Sequence, residues 1–171
     1  MFPLSIVIGL NLCPFARRVF DGQLIRCVVT DATDEDALLA DLERELTLLV
    51  ESPIAEVETT LLIHPGVLGN FLDYNDFLDM AEDLISDLRL NGVIQLASFH
   101  PNYWFAGTSP DAVENYTNRS PFPMLHLLRE ESVSRIAINP EELDEIPRRN
   151  IETLRMLGRE AILARLRDIL K

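Results

Sequence analysis

Three short apolar runs alternate with two longer amphipathic segments, and this alternation constrains the fold more than any other feature of the chain. The runs cover residues 24–30, 58–63 and 93–99 and are rich in β-branched side chains. Residues 34–51 and 75–88 instead repeat apolar side chains at helical spacing. The order β-α-β-α-β predicts an α/β fold in which helices cover a small sheet.

Two arrangements of this sheet are compatible with the alternation. In the first, all the strands are parallel and the helices form right-handed crossovers between them. In the second, one strand is antiparallel to the others, as in a ferredoxin-like α+β fold. The sequence leaves both arrangements open.

Capping residues predict where the two long helices begin and end. Thr33 is typical of an N-cap, and Pro53 ends the first helix. Asn75 is expected to cap the second helix, which stops at Asn91-Gly92.

The second half of the chain predicts a long loop followed by a helical C-terminus. Residues 101–123 combine proline, glycine and asparagine with aromatic side chains, which is typical of a functional loop. Ser120-Pro121 predicts the start of a helix that carries His126. A short helical turn is expected at Asn139-Pro140, and an amphipathic helix is expected over residues 149–170.

Length and composition bound the class of protein. A chain of 171 residues without a linker or a repeat is expected to form one domain, residues 1–171. Its net charge of −13 argues against binding to nucleic acids or to anionic membranes.

The cysteine content favours a reducing cytoplasm, because two cysteines are too few for a disulfide framework. Of these two, Cys27 is expected in the core. The apolar residues 1–10 are too short a run to span a bilayer and should belong to the fold.

The second and third apolar runs both end in the dipeptide His-Pro, at His64 and at His100. If the two strands are parallel, both imidazoles emerge at one edge of the sheet, which is where open α/β sheets bind ligands. With His126 they are candidate catalytic residues, because an imidazole can act as a general acid, a general base or a metal ligand. No two histidines have a metal-ligand spacing such as His-x-His. The alternative is that each histidine is a hydrogen-bonded structural residue.

Asn11 and Cys13 form a second candidate site. Cys13 precedes Pro14, where a helix would start, and a helix N-terminus lowers the pKa of a thiol. Cys13 is therefore a candidate catalytic thiol, and Asn11 is a candidate ligand contact. The alternative is a small apolar residue in a packed turn.

The loop after the third apolar run holds a third candidate site. Its amide, phenol and guanidinium groups belong to Asn115, Tyr116, Asn118 and Arg119. Next to an expected helix start, such groups favour a small anionic ligand. Tyr103 and Glu130 are expected to be further ligand contacts. Alternatively, the polar side chains of the loop satisfy its own backbone.

Six blocks of the chain carry a resemblance to a known family. They are residues 7–16, 60–65, 71–77, 97–103, 115–121 and 125–130. They resemble the bacterial family of unknown function DUF1415, and the resemblance extends over nearly the whole chain. The resemblance implies a bacterial, cytoplasmic protein of one domain, and it implies no activity.

The candidate residues leave three functions open. The leading hypothesis is an enzyme that acts on a small anionic metabolite, with a histidine as general acid or base and Arg119 holding the anion. The second is a non-catalytic module for ligand binding or assembly, in which the histidines are structural. The third is a His-ligated metal site. The sequence identifies no cofactor, and a homo-oligomer would form through the last helix.

Overall fold

A four-stranded mixed sheet organises the part of the chain that the structure describes. The computed structural model describes residues 10, 12, 14–135 and 140–169. The strands are β1 (Ile25–Val29), β2 (Thr59–Ile63), β3 (Ile94–Phe99) and β4 (Met124–Arg129). The helices are α1 (Pro14–Asp21), α2 (Glu35–Glu51), α3 (Phe71–Asp87), α4 (Glu130–Ser134), α5 (Pro140–Leu157) and α6 (Arg159–Ile169), and a 3-10 helix spans Val113–Thr117. The prediction of an α/β fold is confirmed.

The order of the strands across the sheet is β1-β2-β4-β3. The three predicted strands run parallel to one another, and the one antiparallel strand is β4, which the sequence did not predict. β1 and β2 are parallel neighbours, whereas β4 is antiparallel to both β2 and β3 and lies between them. Ile63 and Phe99, the last residues of β2 and β3, both pair with Met124. The carboxyl ends of β2 and β3 therefore lie at one edge of the sheet, one strand apart.

The prediction of a helix after Ser120 is wrong, because residues 124–129 form the central strand β4. Leu125 and Leu127 are buried in the core, while His126 and Leu128 are half-buried on the other face of the sheet. This alternation is that of a strand, and pairing with strands on both sides outweighs the local helix propensity. The Ser120 hydroxyl donates to the carbonyl of Phe122 instead of capping a helix.

The caps of the long helices differ from the predicted residues. Asp34, not Thr33, caps α2 by accepting from the backbone N–H of Ala37. Asn70 caps α3 by accepting from the N–H of Leu72, so the predicted cap Asn75 lies inside the helix. The additional first turn of α3 brings Phe71 and Tyr74 into the core, and this burial stabilises the longer helix.

The C-terminal helices also begin and end at other residues than the sequence predicts. α5 starts at Pro140 and runs for 18 residues, where the sequence predicts only a short turn; Asn139 lies outside the described residues. The predicted helix over residues 149–170 is divided, because Gly158 adopts a φ of 78° between α5 and α6.

The main hydrophobic core lies between the sheet and the helices α2 and α3. Its members include Leu38, Leu42, Leu46 and Leu49 of α2, Phe77, Ala81 and Ile85 of α3, and Leu62, Leu125 and Leu127 of the sheet. A second cluster joins Tyr116 of the 3-10 helix to Leu154 of α5 and Ile162 of α6.

The prediction that Cys27 lies in the core is wrong. Cys27 belongs to neither cluster and is exposed, because β1 is an edge strand and Cys27 faces away from α2. Among the described residues, no helix is both long enough and apolar enough to cross a membrane.

Arg129 connects the end of β4 to the C-terminus of α2. Its side chain is 9% exposed, and its Nη2 donates to the carbonyls of Leu49, Ser52 and Val57. The last carbonyls of a helix have no partner within the helix, and a cation is favourable at the negative end of the helix dipole. One guanidinium thus holds the crossover between β1 and β2 against the central strand.

Replacing this guanidinium should be costly. We expect Arg129→Met to lower the free energy of unfolding by about 3 kcal/mol, because three carbonyls lose a charged hydrogen-bond donor. Urea denaturation followed by circular dichroism measures the change. Arg135→Met is the control, since Arg135 forms an exposed ion pair with Glu131 and should cost less than about 0.5 kcal/mol. An equal loss in the two variants would contradict the role assigned to Arg129.

Candidate functional site

Each His-Pro dipeptide is the end of a strand followed by a β-turn. The backbone N–H of His64 donates to the Pro123 carbonyl at 3.1 Å, and that of His100 donates to the Asn118 carbonyl at 3.1 Å. The carbonyl of His64 accepts from the N–H three residues later at 3.5 Å, and the carbonyl of His100 does the same at 3.1 Å. Proline is the second residue of both turns, the position for which its fixed φ is suited.

Tyr74 lies between the two imidazoles. The Tyr74 ring is stacked on that of His64 with the centroids 5.8 Å apart, and its centroid lies 5.1 Å from that of His100. The Tyr74 hydroxyl accepts from the N–H of Phe99 at 3.0 Å and donates to the Met124 carbonyl at 2.9 Å. All three rings are fully buried. They form a closed aromatic cluster at the carboxyl ends of β2 and β3.

Both ring nitrogens of His100 are bonded to the backbone. Nδ1 accepts from the N–H of Asn102 at 3.0 Å, so Nε2, at 3.1 Å from the Leu68 carbonyl, carries the proton and donates. Leu68 has a φ of 57°, a left-handed conformation that is unfavourable for a leucine. His100 thereby ties the turn after β3 to a strained residue that precedes α3.

His64 bonds the backbone through one nitrogen. Its Nδ1 donates to the Val67 carbonyl at 3.1 Å, and Nε2 has no hydrogen-bond partner among the described groups. Burial, with a smaller contribution from the neighbouring His100, lowers the pKa of His64 to about 4. Burial also lowers the pKa of His100 and raises that of Tyr74. The cluster is therefore neutral at pH 7.

His126 does not join the other two histidines. In β4 it pairs with Leu61 and Ala97, and it lies on the sheet face opposite α2 and α3. Its Nε2 lies 2.7 Å from the Thr59 hydroxyl, which donates to the Leu127 carbonyl, so Nε2 is the donor. Burial lowers the pKa of His126 to about 4.

The aromatic loop after β3 packs on the first residue of α3. The ring centroid of Phe71 lies 5.4 Å from His100, 5.1 Å from Tyr103 and 4.9 Å from Trp104. Tyr103 also contacts Phe105, with the ring centroids 5.1 Å apart. These contacts cover the histidine edge and exclude solvent from it.

The amide side chains of the loop bond the loop itself. Oδ1 of the fully buried Asn115 accepts from the N–H of Phe105 and from the Thr108 hydroxyl, and its Nδ2 donates to the Ser109 carbonyl at 2.8 Å. Asn118 donates to the Ser98 carbonyl at 3.0 Å. Asn115 therefore holds the loop together and Asn118 holds it against β3, as the structural alternative for this segment predicts.

Arg119 is held in place from three sides and retains free donors. Its Nε donates to the Tyr103 carbonyl at 3.1 Å, and its Nη2 donates to the Pro110 carbonyl at 2.5 Å. The guanidinium carbon lies 4.5 Å from the centroid of the buried Tyr116 ring. A guanidinium has five N–H groups, so three of them have no hydrogen-bond partner among the described residues and can bond a further acceptor.

Arg119 lines a groove of about 680 Å³ beside the start of α3. The groove is lined by Gly69, Asn70, Phe71, Leu72, Asn102, Trp104, Pro110, Asp111 and Arg119. Arg119 is the one cationic side chain of this lining, and Asp111 is ion-paired with Arg159 at 3.0 Å. Among the described side chains that the sequence singles out as ligand contacts, only Arg119 lines the groove. Asn70 and Leu72 were not predicted as site residues, because the sequence analysis places the start of this helix at Asn75.

The remaining candidates lie elsewhere. Glu130 follows the far end of β4 and begins α4, where its N–H donates to the Val93 carbonyl. Asn11 and Cys13 lie outside the described residues. Within residues 14–135 and the other described positions, no three His, Cys, Asp or Glu side chains form a group that could hold a metal ion.

Comparison with known proteins places the chain in a family. The model of a family described as a protein of unknown function, DUF1415, matches residues 4–164. The chain belongs to this family. Neither a search of curated proteins nor a search of solved structures found a match. The DUF1415 match includes both His-Pro turns and the whole groove.

The hydroxyl of Tyr74 should stabilise this DUF1415 protein. We expect Tyr74→Phe to lower the free energy of unfolding by about 2 kcal/mol, because a buried N–H and a carbonyl at the edge of β3 and β4 lose their partner. Thermal or urea denaturation measures this. Tyr103→Phe is the control, since no hydrogen bond is described for the Tyr103 hydroxyl, and it should be nearly neutral. A neutral Tyr74→Phe would show that the bridge contributes little.

The depressed pKa of His64 predicts a pH-dependent stability. An unfolded histidine takes up a proton near pH 6.5 and the folded His64 only near pH 4, so between these values the unfolded state binds more protons. This contribution to stability is complete above about pH 6.5 and is lost as the pH falls towards about 4. From pH 7 to pH 5, His64 should lower the free energy of unfolding by about 2 kcal/mol.

The test is urea denaturation of the wild type and of His64→Leu at both pH values. His64→Leu should remove about 2 kcal/mol of the pH dependence, whatever its absolute stability. Tyr103→Phe, which removes no group that titrates in this range, should retain the full pH dependence. An unchanged pH dependence in His64→Leu would contradict the assignment.

Proposed function

We propose that this protein binds a small organic anion in the groove beside the start of α3, and that Arg119 is the residue that holds the anion. The observation that carries the proposal is the arrangement of Arg119. Two carbonyls and an aromatic ring fix its guanidinium at the groove wall while three N–H groups stay available.

The preorganised position of Arg119 favours a high affinity for an anion. An arginine that is already ordered loses little side-chain entropy when an anion binds, and its planar fork suits a carboxylate or a phosphate. The first turn of α3 lines the same groove, and the positive end of a helix dipole adds to the favourable potential.

The buried histidines support a binding function over acid–base catalysis. His64 and His100 are fully buried, and both rings donate to backbone carbonyls between β2 and α3. A general acid or base must come within hydrogen-bond distance of the substrate, and covered rings of low pKa do not meet that requirement here. We assign them a positioning function instead, since His100 connects Leu68, which precedes the groove residue Gly69, to the groove residue Asn102.

We also propose the cellular location and the partners of this protein. The net charge of −13 supports a protein that avoids nucleic acids and anionic membranes, and the low cysteine count supports a cytoplasmic location. A bacterial source is what the family resemblance implies. Leu154 and Ile162, from the apolar stripe of the last helices, pack on Tyr116 within the chain. A homo-oligomer through these helices would depend on other side chains, such as the exposed Met156.

The chain provides its own reporter for the binding test. Trp104 is the only tryptophan and lines the groove, so its fluorescence reports on that groove alone. Titration with acetate, phenylacetate and inorganic phosphate should give a saturable change for at least one of these anions. Arg119→Gln should weaken that binding by about tenfold or more, which corresponds to losing one charge-assisted pair.

Two further variants make the result interpretable. Arg119→Lys keeps the charge without the planar fork and should lie between the wild type and Arg119→Gln. Arg135→Gln removes an exposed charge on α4 and should bind like the wild type. The proposal is wrong if none of the anions changes the Trp104 fluorescence, or if Arg119→Gln binds as tightly as the wild type.

A further inference from the structure

We propose that the ligand class of the groove is a monocarboxylate with a flat apolar body, in which the carboxylate meets Arg119 and the body lies along Trp104 and Leu72. This inference rests on the proposed anion-binding function and names its ligand. It follows from the charge, the apolar surface and the size of the groove.

The charge of the groove matches one negative charge. Arg119 is the one cation among the lining residues, and the carboxylate of Asp111 is compensated by Arg159. His100, beneath Phe71, is neutral because Asn102 donates to its Nδ1. A dianionic phosphate would therefore keep one charge without a partner, and an unpaired charge is unfavourable in a partly desolvated site.

Apart from Asn70 and Asn102, the remaining side chains of the lining are apolar, and one of them is exposed. Leu72 is 58% exposed although it lies in the first turn of α3, and Phe71, Trp104 and Pro110 continue the apolar surface. A ligand that covers Leu72 would remove this surface from water. Carboxylates without an apolar body, such as acetate, would leave it exposed.

The flat shape of the proposed ligand follows from the position of Trp104. The indole centroid lies 4.9 Å from that of Phe71 with an angle of 47° between the ring planes, so a buried residue supports the indole from one side. A supported half-buried indole is suited to stacked or edge-to-face contact with a second ring. The volume of about 680 Å³ lies within the range of small-molecule sites, which is about 300–1,000 Å³.

The experiment is a titration of ¹⁵N-labelled protein monitored through the indole N–H resonance. A single tryptophan gives a single indole cross-peak, so the Trp104 signal needs no assignment. The probes are phenylacetate, acetate, 2-phenylethanol, cyclohexylacetate and phenyl phosphate at pH 7.5. Phenylacetate should bind about tenfold or more tightly than each of the other four, because each lacks the apolar body, the charge, the flat ring or the single charge.

Variants of the protein distinguish recognition of the apolar body from recognition of the carboxylate. Leu72→Gln changes an exposed side chain, so the fold should be retained; it should weaken phenylacetate while leaving acetate unchanged. Trp104→Leu, followed through the fluorine resonance of 4-fluorophenylacetate, should weaken that ligand as well. Arg135→Gln is the matched control and should change none of the affinities.

The outcomes distinguish this inference from the proposed function. Phenyl phosphate or cyclohexylacetate binding as tightly as phenylacetate would overturn the ligand class while the anion-binding function stands. Equal binding of 2-phenylethanol would overturn both, because the charge would then be irrelevant. Failure of every probe to shift the Trp104 resonance would likewise overturn both.

Discussion

The rest of the structure depends on the insertion of β4 between β2 and β3. Because β4 is antiparallel to both neighbours, β2 and β3 run in the same direction and end at the same edge. The Tyr74 hydroxyl bonds to the backbone of the terminal pair Phe99 and Met124, so α3 is attached to the sheet at that edge. The direction of one central strand thus decides where the two His-Pro turns meet and which helix covers them.

Burial determines the protonation state of the histidines at this edge of the sheet. Imidazoles that are removed from water and bonded to carbonyls stay neutral, which makes them suitable for holding turns and unsuitable for exchanging protons with a substrate. His100 also holds the left-handed Leu68 next to the groove, so backbone strain at this position is retained by a side-chain hydrogen bond. The residues that line the open groove are instead Arg119, Trp104 and those of the first turn of α3.

The turns that support the candidate site were more readily predicted from the sequence than the residues that line its groove. Both His-Pro edges could be predicted, because an apolar run that stops at a proline turn is a local signal. The neutral, bonded state of His100 could not, since its partner Leu68 lies 32 residues away along the chain. The same applies to Arg119, which the sequence identifies as an anion contact but whose position depends on Tyr103 and Tyr116. His126 was misplaced because the segment around it has the apolar content of either a helix or a strand.

The sequence by itself determined the alternation of strands and long helices, the two strand ends at His64 and His100, and a polar loop with one arginine suited to an anion. These features are encoded in short-range periodicity and turn residues, which act over a few neighbours. Only the tertiary structure decided that residues 124–129 form the central strand and that Asn70 starts α3. It also decided that the histidines face inwards while Arg119 faces a groove. Those outcomes depend on pairing and burial between distant segments, and such contacts outweigh local preference when a strand gains partners on both sides.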